Sequence, residues 1–166
     1  MRRQRGKRLT AILVAASSAC AVAGFGAMMT DLGPWYVALR KPSWQPPDWA
    51  FAPAWTLIFT LTAWAGVLGW QHAGDEAARA TVIAVFAANG VLNMLWSILF
   101  FKLRRPDWAL YEVGFLWLSI VAMIEVLRHE AGMAWIFLVP YLLWVSFAAF
   151  LTATIVRLNA PFTVTA

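Results

Sequence analysis

The amino-acid sequence predicts an all-α protein: an integral membrane bundle of five transmembrane helices, with a tryptophan- and proline-rich first loop held over it. Three observations lead there. Of the 166 residues, 62% are hydrophobic and 13% charged, whereas roughly a quarter of an ordinary soluble domain is charged. The apolar residues gather in runs of about 20, the length that crosses a bilayer as a helix. Between the first and second runs, the chain places Trp35, Trp44, Trp49 and Trp55 among Pro42, Pro46, Pro47 and Pro53. Five spans use up the length, so residues 1–166 are expected to form a single membrane domain.

Residues 1–8 are a basic leader with Arg2, Arg3, Arg5, Lys7 and Arg8. The first helix is expected at residues 9–29. A basic stretch before an apolar one is also a signal-peptide pattern, with Ala21-Val22-Ala23 as a cleavage site. The uncharged run is longer than a typical signal core, and it carries Ala15, Ala19, Ala23 and Ala27 four residues apart. Small residues at that spacing let helix backbones approach closely, so a retained helix is the expectation. Residues 30–51 form the aromatic loop, in which prolines remove amide donors and bias their neighbours away from helix.

The second helix is expected at residues 52–70, followed by a polar turn over 71–78 with Gly74 as its breaker. The third, at residues 80–101, carries Asn89 and Asn93 one turn apart on a single face. Lys102 to Asp107 makes the next turn, with Pro106 at a helix start where its missing amide costs little. The fourth helix is expected at residues 108–127 and the fifth at 133–156. With the N-terminus inside, inner segments carry seven Lys/Arg and outer segments six. Orientation therefore leans on the leader alone.

The net charge of +5 does not make a nucleic-acid surface. The positive residues sit in the leader and at Lys102, Arg104 and Arg105, positions typical of headgroup contacts. Cys20 is the only cysteine, so an internal disulfide is impossible. His72 and His129 lie in polar turns without spaced Cys or carboxylate partners, which argues against a metal site. No phosphate loop, nucleophile elbow or paired-carboxylate pattern occurs.

What remains is polar and aromatic chemistry inside an apolar bundle, where polar groups are costly and usually have a reason. Asn89 and Asn93 suit interhelical hydrogen bonds worth about 1 kcal/mol each and suit a ligand-facing role equally. Glu125 is expected to pair locally at the interface, and Glu112 to meet a tryptophan N–H or a loop amide. Trp35, Trp70, Trp108 and Trp135 fall at span ends and belong to an interfacial aromatic belt. Trp44, Trp49 and Trp55, with Trp96 and Trp144 inside spans, suit a flat apolar site for a planar ligand, with amides orienting it. Trp117 is assigned to packing.

These residues resemble the tryptophan-rich sensory protein and translocator protein family, also called the peripheral benzodiazepine receptor family. The likeness rests on Trp35-Tyr36, Leu39-Arg-Lys-Pro42-x-Trp44-x-Pro-Pro47-x-Trp49-x-Phe51 and Trp55. It continues through Asn93-x-x-Trp96-x-x-x-Phe100-Phe101, Trp108-Ala-Leu110, Val139-Pro-Tyr-Leu-Leu-Trp144 and Arg157-Leu-Asn159. Nearly the whole chain beyond the leader is covered.

The resemblance implies a five-helix homodimer of a bacterial cell membrane, in contact with membrane lipid. Its first loop would close a cavity for porphyrins or other tetrapyrroles, with no cofactor required and no metal. It implies Trp55, Asn93, Trp144 and Ala148 as ligand contacts, and with Tyr36, Trp44, Trp49, Asn89 and Trp96 from the residues themselves these make up the expected ligand-binding set. Three functions stand open: a porphyrin receptor, sensor or carrier; light-dependent porphyrin breakdown at Trp55 and Trp144; and a sterol-binding or purely structural protein. Leu151-Thr-Ala-Thr-Ile-Val-Arg157 lacks the central tyrosine of the family's cholesterol motif, which lowers sterol binding.

Overall fold

The computed structural model describes residues 2–162, with side chains from residue 9 onward. The basic side chains of the leader lie outside the described residues. The described chain has no strands and is 85% helical, which makes the protein all-α. Six α-helices follow one another: α1 (Arg2–Met29), α2 (Pro34–Ala38), α3 (Phe51–His72), α4 (Glu76–Ser97), α5 (Pro106–Glu130) and α6 (Val139–Asn159). Short α2 lies in the first loop, and the other five carry the spans long and apolar enough to cross a membrane.

Helix ends follow local chemistry. Asp75 caps α4 by accepting the Ala78 amide at 2.8 Å, and Arg79 pairs with Glu76 at 2.7 Å. With those donors satisfied, the polar turn expected over 71–78 shrinks to residues 73–75. Pro34 and Pro106 each open a helix, where a missing amide is harmless. The fifth span begins as a 3-10 helix over Gly132–Leu138 before α6 starts. Pro140 explains the break, since its ring would clash with the Ile136 carbonyl in a continuous α-helix. At the end of α4 a π-helical turn covers Ile98–Lys102. Its Leu103 amide reaches the Ile98 carbonyl at 2.8 Å, and Phe100 within the turn is buried.

The core runs along α5 and α6. Val113, Leu116 and Ile120 of α5 meet Ile58, Tyr141 and Val145 near its centre. Met123, Leu127, Leu138 and Ala65 fill one end, and Tyr36, Phe100, Ala109, Leu151 and Ile155 fill the other. Gly69 of α3 passes so near Leu127 and Val82 that a Cβ there would collide. By contrast, no described residue of α1 is buried. Three of the belt tryptophans carry a cation over the ring: Arg79 on Trp70 at 5.2 Å, Arg104 on Trp35 at 6.0 Å and Arg105 on Trp108 at 4.2 Å. Glu125, at the end of the bundle that also holds Trp70, pairs with His129 at 3.0 Å and Arg128 at 3.5 Å.

The first loop is tied to the C-terminal half of α6. Asn159 accepts the Arg40 amide and donates to the Arg40 carbonyl, both at 2.8 Å. One side chain thus satisfies both polar groups of a loop residue that has no helical partner. Trp44 stacks on Phe150 at 5.1 Å and meets Phe147 edge-on at 6.0 Å. Asn159→Ala should lower the local opening free energy of the loop by about 1 kcal/mol. Hydrogen exchange of the Arg40 amide should quicken about fivefold while the melting temperature barely moves; unchanged exchange would contradict the clamp.

Candidate functional site

A cavity of about 1030 Å³ opens between α1, α3, α4 and α6. Its α1 wall is built of Ala15, Ala16, Ala19, Ala23, Gly26 and Ala27. This small-residue face, expected only to bring backbones together, leaves room for the cavity beside it. The opposite wall is aromatic, with Phe51, Trp55 and Phe59 from the start of α3, Trp96 and Phe101 from α4 and the π turn, and Trp144 from α6.

The rings form two connected sets, one around Trp55 and Trp144 and one around Trp96 and Phe101. Trp55 stacks on Phe59 at 5.2 Å and meets Trp144 edge-to-face at 6.4 Å and 82°. Phe51 meets Trp144 at 5.6 Å, and Trp96 stacks on Phe100 at 5.0 Å. Such arrangements suit the ring quadrupole and fix ring orientation. Most polar groups on the wall are already bonded. Thr56 and Thr60 donate to carbonyls one turn back, at 2.9 and 2.7 Å, so those positions present mainly methyl surface.

Of the nine residues nominated from the sequence, Tyr36, Trp55, Asn93, Trp96, Trp144 and Ala148 line the cavity. Trp44, Trp49 and Asn89 do not. Trp44 is occupied with Phe147 and Phe150, and Trp49 is 75% exposed on the loop surface. Asn89 is buried between helices and donates to Ser119 of α5 at 2.9 Å. Trp117 donates to Ser146 at 2.9 Å, away from the cavity wall. Among the described residues, no group of three or more His, Cys, Asp or Glu could hold a metal ion.

The TspO/MBR family model matches residues 11–158. The chain belongs to the TspO/MBR family. A tryptophan-rich protein TspO of Chlorobaculum tepidum is 42% identical over 127 residues, covering 75% of this chain and 79% of the relative. A tryptophan-rich sensory protein of Cereibacter sphaeroides is 35% identical, covering 75% and 77%. The translocator protein of Sus scrofa is 34% identical, covering 75% of each chain. With five spans of this kind, the family member is an integral membrane protein.

Sequence reasoning missed several wall residues. Phe59 reads as an ordinary apolar position, and Phe101 belongs to the motif quoted for the resemblance without being nominated for the site. Asp48 is hidden in the Pro-Pro-Asp-Trp run, yet it lines the cavity and accepts the Tyr36 hydroxyl at 3.3 Å. Gln45 donates to the same hydroxyl oxygen at 3.2 Å, and Lys41 lies 3.6 Å from the Tyr36 ring centroid. Glu112 is buried with neither carboxylate oxygen bonded, as is the indole nitrogen of Trp96. The Asn89–Ser119 bond sets the register of antiparallel α4 and α5, and that register brings position 96 level with position 112.

Tyr36 is pushed up to about 12, first by burial and then by the negative charge of Asp48, while the Gln45 bond acts the other way. Its phenol therefore stays protonated well above neutral pH and donates to Asp48. Asp48→Asn removes the charge that disfavours the phenolate, so the Tyr36 midpoint should fall. Phenolate difference spectra of Asp48→Asn, with Tyr36→Phe identifying the signal, measure this; an unmoved midpoint would contradict the contact.

Proposed function

We propose that the protein is a membrane receptor or sensor that takes planar tetrapyrroles of the porphyrin type into this cavity, with the first loop as its lid. The observation that carries the proposal is the wall made by Trp55, Trp96 and Trp144 beside the Asn93 amide. Flat indole faces bind a flat conjugated ligand by stacking and burial, and a single oriented amide fixes its position. The volume of about 1030 Å³ is at the upper end of the about 300–1,000 Å³ common for small-molecule sites. Tyr36 and Asp48 bring the first loop to the cavity wall, which supports a lid. The names sensory protein and translocator protein, carried by relatives in Cereibacter sphaeroides and Sus scrofa, support binding as the common step. A homodimer in a bacterial cell membrane belongs to the same proposal.

Titrating the purified protein with protoporphyrin IX should quench tryptophan fluorescence saturably. Trp55→Phe, Trp144→Phe and Asn93→Ala should each weaken binding about 5- to 30-fold, as expected for the loss of about 1–2 kcal/mol of stacking or hydrogen bonding. Unchanged affinity in all three variants would sink the assignment of this site.

The edge-to-face pair of Trp55 and Trp144, both on the wall, favours a second reading. Here a bound porphyrin, excited by light and with dioxygen as oxidant, is broken down next to the two indoles. Illumination of the complex in air should then yield a new chromophore by mass spectrometry, and the Trp55→Phe/Trp144→Phe double variant should not. Porphyrin recovered intact from the wild-type protein would rule this reading out.

A further inference from the structure

Four polar side chains on three helices form a single hydrogen-bonded chain through the bundle, and its proton directions can be deduced from one end. The Ser119 hydroxyl lies 2.7 Å from the Leu116 carbonyl oxygen. A carbonyl only accepts, so the single hydroxyl proton is committed there. Asn89 approaches the same Oγ at 2.9 Å. With that proton already used, the Asn89 atom facing Ser119 has to be the donor, Nδ2. Its Oδ1 is thereby turned to the Tyr141 hydroxyl at 3.2 Å, where it accepts the phenol's only proton. Tyr141 has just lone pairs left for Asn93, which approaches at 3.1 Å. Asn93 therefore meets it with Nδ2.

Everything about Tyr141 suits a fixed part. It is fully buried, and its ring meets Trp55 edge-on at 6.1 Å. Asn93 itself lines the cavity, and among the described residues no donor reaches its Oδ1. Nearby hydroxyls on the wall are committed: Ser97 to the Asn93 carbonyl and Tyr36 to Asp48.

We infer that Tyr141, Asn89 and Ser119 are positioning residues that hold the Asn93 carboxamide with its oxygen toward the cavity, so that the preferred ligand is a flat apolar ring system bringing an N–H or O–H donor. This deepens, and rests on, the reading of the cavity as a ligand site. An amide free to flip would offer oxygen and nitrogen alike and lose rotational freedom on binding. Held by the chain, it offers one preset acceptor in an apolar surrounding, where a matched hydrogen bond discriminates most strongly between ligands.

The test combines two readouts on Tyr141→Phe, Ser119→Ala, Asn93→Ala and the Tyr141→Phe/Asn93→Ala double variant. Without ligand, the side-chain amide resonances of Asn93 are identified by their loss in Asn93→Ala. They should shift in Tyr141→Phe and also in Ser119→Ala, although Ser119 is two links away. With protoporphyrin IX, Tyr141→Phe should weaken binding roughly fivefold when Asn93 is present, and leave affinity unchanged in the Asn93→Ala background. Asn93 resonances unmoved in either single variant, or an equal affinity loss in both backgrounds, would overturn the inference. If the wild-type protein shows no saturable binding, the porphyrin reading fails, and the ligand-free spectra alone then decide the positioning role. Ser119→Ala keeps the test alive should Tyr141→Phe not fold.

Discussion

The Tyr141 hydroxyl, buried between the amides of Asn89 and Asn93, is the interaction on which the inner architecture depends. Inside a bilayer no water competes for these groups, and each unsatisfied one costs several kcal/mol. Satisfying all three at once requires α4 and α6 to keep one register, and the Asn89–Ser119 bond extends that demand to α5. The aromatic wall inherits this order. Trp55 leans on the Tyr141 ring, Trp144 leans on Trp55, and Phe51 leans on Trp144.

Around that fixed interior the molecule is unevenly packed. α5 is buried along its inner face, whereas α1 buries none of its described residues and borders the cavity with alanine and glycine. Small side chains here do two jobs. They allow α1 to lie near α3 and α4, and they leave a volume that larger residues would fill. The loop end is organised differently, by Asn159 gripping the Arg40 backbone and by Trp44 on Phe150. Those contacts involve exposed groups, whereas Tyr36 of the same loop is buried with Phe100, Leu151 and Ile155, so the loop joins a buried base to an exposed outer clamp. The proposed lid would open at that outer clamp.

Much of this was legible in the sequence. Five apolar runs gave the spans, and Pro106 and the loop prolines marked ends that the structure keeps. Asn89 and Asn93 stood out because amides are rare and costly in such a setting. Their division of labour did not stand out, because it depends on Tyr141, forty-eight residues from Asn93 and outwardly one more aromatic near a helix start. The role of the α1 alanines was equally hidden. A small-residue face reads the same whether it touches a helix or a cavity, and only the neighbours' positions decide. Trp44 and Trp49 share the tryptophan signal of Trp55 but end on the loop's outer contacts, because proline-bound backbone sets where each ring points. The π turn at 98–102 left no trace in periodicity, since one extra residue in a helix disturbs the apolar pattern too little.

The most direct test of the account is a structure of the protein in a lipid bilayer with protoporphyrin IX bound. The account predicts the ring system inside the cavity, against Trp55 and Trp144 and within reach of Asn93. A porphyrin found instead on the lipid-facing surface of α5, against Trp108, Tyr111 or Phe115, with the cavity unfilled, would contradict it.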